Sequence, residues 1–132
     1  MLIQAHIAFA KLHELDLSKA AHDLLSALVK LQRPGGEVNA SQVELAARVG
    51  LSKNRTSIAM TQLVERNIVL RPDRRYRSYF LHPYFAGYAS VEDLEQALAD
   101  ATEAIKAGEL AAPAPPPEPQ RHLTAVPTRR SA

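Results

Sequence analysis

Residues 41–67, SQVELAARVGLSKNRTSIAMTQLVERN, restrict the possible folds more than any other part of this chain. Ser41 followed three residues later by Glu44 is a capping-box signature, in which each residue satisfies a backbone N–H of the other. Leu45, Ala46 and Val49 supply the buried side of the helix that this box starts. Gly50 offers the left-handed position that ends it. Ser52 then caps a longer helix, whose core positions Thr56, Ala59, Met60 and Leu63 are spaced i, i+3, i+4, i+7. Asn67 can stop that helix, because Asn enters the left-handed region at low cost. The run predicts helix, turn, helix.

The flanking segments add one helix before this unit and a hairpin and helix after it. Ile3, Ala5, Ile7 and Phe9 alternate with Gln4, His6, Ala8 and Ala10, which reads as a short strand, although a helix can be drawn over the same residues. From the N-cap candidate Ser18, the residues Ala21, Leu24, Leu25, Leu28 and Leu31 recur on one helical face. Arg33-Pro34-Gly35-Gly36 ends that helix. Residues 68–71 and 76–82 predict two strands around the turn Pro72-Asp73-Arg74-Arg75. Ser90 opens a last helix in which Val91, Leu94, Leu98, Ala101, Ile105 and Gly108 fall in a heptad rhythm. Beyond it, APAPPPEP and RHLTAVPTRRSA predict a disordered or extended Pro-rich tail. The expected fold class is α+β, mainly helical with a small β-hairpin. Residues 1–88 would form the domain, 89–110 an acidic heptad helix and 111–132 the tail.

Composition excludes several function classes. The chain has no cysteine, so disulfides and thiolate metal sites are ruled out. No apolar run approaches the roughly 20 residues that span a bilayer. The N-terminus lacks the basic and apolar regions of a secretion signal, so a cytoplasmic protein without membrane partners is expected. The net charge of +2 conceals a strong segregation. Residues 33–88 hold nine basic and four acidic side chains, a balance of +5, whereas residues 89–110 hold one basic and six acidic, a balance of −5. The first segment is suited to phosphates and the second would be repelled by them.

Helix, turn, helix and then a basic hairpin is the layout of a winged helix-turn-helix, whose second helix lies in the major groove of duplex DNA. With Thr56, Ala59, Met60 and Leu63 facing inward, Asn54, Ile58 and Thr61 point directly away, and Arg55 and Ser57 flank them. Asn can pair with adenine, Arg with guanine, and Ile can touch a thymine methyl. An isoleucine there also has a plainer reading, since single exposed apolar residues are common. Ser52 and Lys53 stand at the helix N-terminus, where backbone N–H groups favour a phosphate. Arg71, Arg74, Arg75 and Arg77 would line the hairpin as phosphate contacts. Arginines on an edge also protect it from pairing with other sheets.

Other chemistry finds little support. The histidines at 6, 13, 22, 82 and 122 show no metal-ligand spacing. The serines at 18, 41, 52 and 90 are accounted for as caps, and no Gly-rich phosphate loop is present. A catalytic constellation around the tyrosines at 76, 79, 84 and 88 is missing, so a non-enzyme without a cofactor is expected. Val91, Leu94, Leu98, Ala101 and Ile105 could pair with a second copy as a homodimer seam or pack within the chain.

Residues from about 9 to 87 resemble the RepL-type plasmid replication initiators, which carry a winged-helix domain. The order IAFAKLHEL, AAHDLLSALVKL, helix-turn-helix and wing is similar. So is FLHPYFAGY, in which Pro83, Tyr84, Phe85 and Gly87 fit that family's pattern of Asn-Pro, aromatics and Gly, with His82 where Asn is usual. The helix-turn-helix is equally similar to MarR-like transcriptional regulators. The first resemblance implies recognition of a replication origin without nicking, and recruitment of host replication proteins. The second implies a repressor or regulator working with transcription proteins. A protein-interaction module using the same fold is a third reading.

Overall fold

A computed structural model describes residues 2–70 and 78–115. The chain is mixed α and β. In order, it forms β1 (Ile3–Gln4), α1 (His6–Ala10), a 3-10 turn (Leu12–Leu15), α2 (Lys19–Leu31), β2 (Glu37–Asn39), α3 (Gln42–Val49), α4 (Lys53–Glu65), β3 (Val69–Leu70), β4 (Ser78–Leu81), β5 (Gly87–Tyr88) and α5 (Val91–Lys106).

Four serines start four helices. The side chains of Ser18, Ser41, Ser52 and Ser90 accept hydrogen bonds from the backbone N–H of Ala21, Glu44, Arg55 and Asp93. Each satisfies a donor that the first helical turn leaves without a partner, an effect worth about 1 kcal/mol. The capping box at Ser41 is complete in both directions. Helix ends are as well marked. Gly50, Asn67 and Gly108 take positive φ of 71°, 62° and 78°. After each, the next N–H reaches back to a carbonyl of the last turn: Leu51 to Ala46, Ile68 to Leu63 and Glu109 to Ala104. This is the Schellman closure.

α2 packs against both α3 and α4, so one leucine-rich helix covers the apolar sides of the other two. Leu24, Leu25, Leu28, Leu45, Met60 and Leu63 are fully buried there. The second layer is a three-stranded antiparallel sheet in the order β2-β4-β3, with Val38 opposite Tyr79 and Val69 opposite Leu81. A separate antiparallel pair, β1 with β5, sets Ile3 opposite Tyr88 and Gln4 opposite Gly87. α5 packs on this pair, with Leu94 and Ala97 against the main core and Ala101 buried.

The structure departs from the sequence expectations at the N-terminal segment and adds a strand between α2 and α3. The N-terminal alternation is strand only at Ile3–Gln4, because residues 6–10 turn into a short helix. Its half-buried Phe9 meets Phe85 edge-on at 5.2 Å between ring centres. Strand β2 was not expected: only Val38 of its three residues is buried, too little for a period-2 signal. Residues 111–115, at the start of the tail, are fastened to the domain by hydrogen bonds. The His82 ring bonds the carbonyl of Ala111, Asn67 Nδ2 donates to that of Ala112, and Ala114 N–H donates to that of Arg66. Residues 116–132 lie outside the described residues.

Candidate nucleic-acid interface

α4 presents two contrasting faces, and its neighbours hold both in place. Thr56, Ala59, Met60 and Leu63 are buried, as the spacing predicts. Thr56 is a polar residue at 0% exposure, satisfied by its hydroxyl donating to the Ser52 carbonyl at 2.8 Å. Asn54, Arg55, Ser57, Ile58 and Thr61 are all exposed on the other side. Ile58 is 60% exposed on this otherwise polar surface. Ser52 and Lys53, at the start of the helix, are also exposed.

Gln62 belongs to the domain and not to the open face. Its Oε1 accepts the Ser18 backbone N–H at 2.7 Å, fixing the last turn of α4 to the start of α2. At the far end, Arg66 is buried and its guanidinium donates to the carbonyls of Leu15 and Asp16. One of the nine basic residues of the positive segment is therefore committed to the interior. Sequence reading missed this role, since an arginine following a helix reads as another surface cation.

The four hairpin arginines, Arg71, Arg74, Arg75 and Arg77, lie outside the described residues. The strands on either side are described, and β3 pairs with β4 so that Leu70 faces Phe80. The base of the hairpin is therefore anchored in the same sheet that β2 completes.

The motif FLHPYFAGY runs from β4 into β5. His82 and Phe85 are buried. The His82 backbone N–H donates to the Ile68 carbonyl, at the point where α4 hands over to β3. Its ring accepts the Tyr84 backbone N–H at Nδ1, which places the proton on Nε2, 3.0 Å from the Ala111 carbonyl. Burial lowers the pKa of His82, against a smaller raising effect of the Ala111 bond. The imidazole is therefore held neutral, with both nitrogens used.

The heptad residues of α5 are mostly engaged within the chain. Ala101 is buried, Leu94, Leu98 and Ile105 are half-buried, and Val91 is 54% exposed. The outward side carries Glu92, Glu95, Asp100 and Glu103. Among the described residues no group of three His, Cys, Asp or Glu side chains is placed to hold a metal ion, and no helix is long and apolar enough to cross a membrane. Comparison with known protein families, characterised proteins and solved structures finds no match for this chain.

Proposed function

We propose that this chain is a sequence-specific duplex-DNA-binding protein of winged helix-turn-helix type, in which α4 enters the major groove. The observation that carries this reading is the exposed set Asn54, Arg55, Ser57, Ile58 and Thr61 on a helix whose opposite side is buried and whose C-terminal end is fastened through Gln62 and Arg66. A rigid helix with a polar face can bring bidentate groups to base edges in fixed register, each good pair discriminating by about 1–3 kcal/mol. The order α2-β2-α3-α4-β3-β4, with β2 pairing β4 and β4 pairing β3, supports the winged type. Ser52 and Lys53 at the start of α4, with the arginines of the hairpin, would take phosphates.

Within this reading, the role we favour is recognition of a plasmid-type replication origin without catalysis, on the resemblance of the domain order and of the motif around Pro83. A regulator of transcription would use the same face. Footprinting of the purified protein across DNA carrying its own gene separates these roles. Clustered direct repeats in an AT-rich stretch away from the promoter mark an initiator, and a single palindrome over the promoter marks a repressor. No protection at low salt defeats the DNA reading and leaves an interaction module.

A further inference from the structure

Among the described residues, Ile7 is the most exposed large hydrophobic side chain, at 68%. It lies between two clefts that share it with Ala8 and Tyr84. The larger, about 320 Å³, is walled by Leu15, Phe85 and Pro113. The smaller, about 290 Å³, reaches Leu98 of α5. Lys11 and Glu14 stand on the rim of the larger cleft, and both are exposed. An apolar knob beside an apolar hollow, with one charge of each sign at the edge, is a self-complementary surface.

We propose that a second copy of this chain docks on this face about a two-fold axis. Ile7 of each copy enters the larger cleft of the other, and Lys11 of each faces Glu14 of the other. A two-fold interface uses the same patch on both subunits, so every knob must find its hollow on an identical surface. Here knob and hollow are neighbours, and the Lys11/Glu14 rim becomes two matched pairs when rotated onto itself. A uniformly acidic or basic partner would match one of these charges and oppose the other. Pairing along α5 is disfavoured for a related reason. Its outward side bears Glu92, Glu95, Asp100 and Glu103, and its apolar seam is already packed against β1 and β5. The proposal stands independently of the DNA reading, because the dimer forms from protein alone.

The test is sedimentation of the full chain without DNA at micromolar concentration. The wild type should sediment as a dimer and Ile7→Glu as a monomer with an unchanged far-UV spectrum and melting temperature. Lys11→Glu and Glu14→Lys should each weaken the dimer about tenfold, and the double exchange should restore it. A monomeric wild type, a dimeric Ile7→Glu protein, or a double variant no better than either single one would overturn the proposal.

Discussion

The guanidinium of Arg66 donates through Nε to the backbone carbonyl of Leu15, 3.2 Å away and 51 residues earlier in the chain. Its Nη2 reaches the next carbonyl, that of Asp16, also at 3.2 Å. Two carbonyls at the end of the 3-10 turn are thus satisfied by the residue that ends α4. Replacing Arg66 with Ala leaves both without this donor, which should cost about 2–4 kcal/mol. Lys, with no planar fork, should recover only part of that loss. Urea unfolding of the two variants measures this, and an Arg66→Ala protein as stable as the wild type would refute the role.

Two glycines with left-handed backbone should respond differently to the same substitution. Gly50 has φ of 71° and open space where a Cβ would go, so Gly50→Ala should lose about 1–2 kcal/mol from backbone strain alone. Gly36 has φ of 93°, and a Cβ there would lie 2.8 Å from that of Ala86. Gly36→Ala therefore adds a steric clash to the strain and should lower the melting temperature clearly further. Equal losses would show that the sheet can shift to relieve the contact.

His82 should make stability fall on acidification. Its pKa in the fold is lowered, chiefly by burial, so between that value and the ordinary value near 6.5 the unfolded chain binds more protons than the folded one. The contribution is complete above about pH 6.5 and is lost as pH falls from there through the lowered value. Protonation also gives Nδ1 a hydrogen where it now accepts the Tyr84 N–H. Thermal melts between about pH 7.5 and 5 should show this slope, and His82→Asn should flatten it. A slope unchanged in that variant would assign the effect to other groups.

The proposed DNA contacts divide into two kinds. Asn54→Ala should relax base preference at one position of the site while general affinity persists, and an unchanged preference would show that α4 is wrongly placed in the groove. Reversing charge at Arg74 and Arg75 should weaken binding to all sequences. With about five phosphates engaged, log K should fall with log salt at a slope near −4.5 in the wild type and less steeply in the reversed protein. Fluorescence anisotropy over a salt series reads both.

The helices were legible in the sequence because each carries its own start and stop. Ser41 with Glu44, Ser52 with Asn67, and Ser90 are local signals, and the structure fulfils them with hydrogen bonds three or four residues long. The buried and open sides of α4 followed from spacing alone. What sequence left hidden depends on distant partners. β2 exists because Val38 meets Tyr79 across the sheet, and residues 6–10 are helical while an alternating pattern also suits a strand. The inward turn of Arg66 and the anchoring of residues 111–115 each depend on carbonyls or side chains far along the chain.

That last anchoring bears on how the protein is made. A ribosome that has just released α4 and Asn67 has not yet made Ala112, whose carbonyl receives the Asn67 side chain 45 residues later. The Ala114 N–H that closes on the Arg66 carbonyl comes later still. The helix with the open polar face therefore emerges early, its far end held first by the Arg66 bonds to Leu15 and Asp16 and the Gln62 bond to Ser18. The bonds from residues 111–114 are added only when synthesis passes α5. Nascent chains halted before residue 111 should hold that end by its Schellman closure and by the Arg66 and Gln62 bonds, without the clasp from residues 111–114.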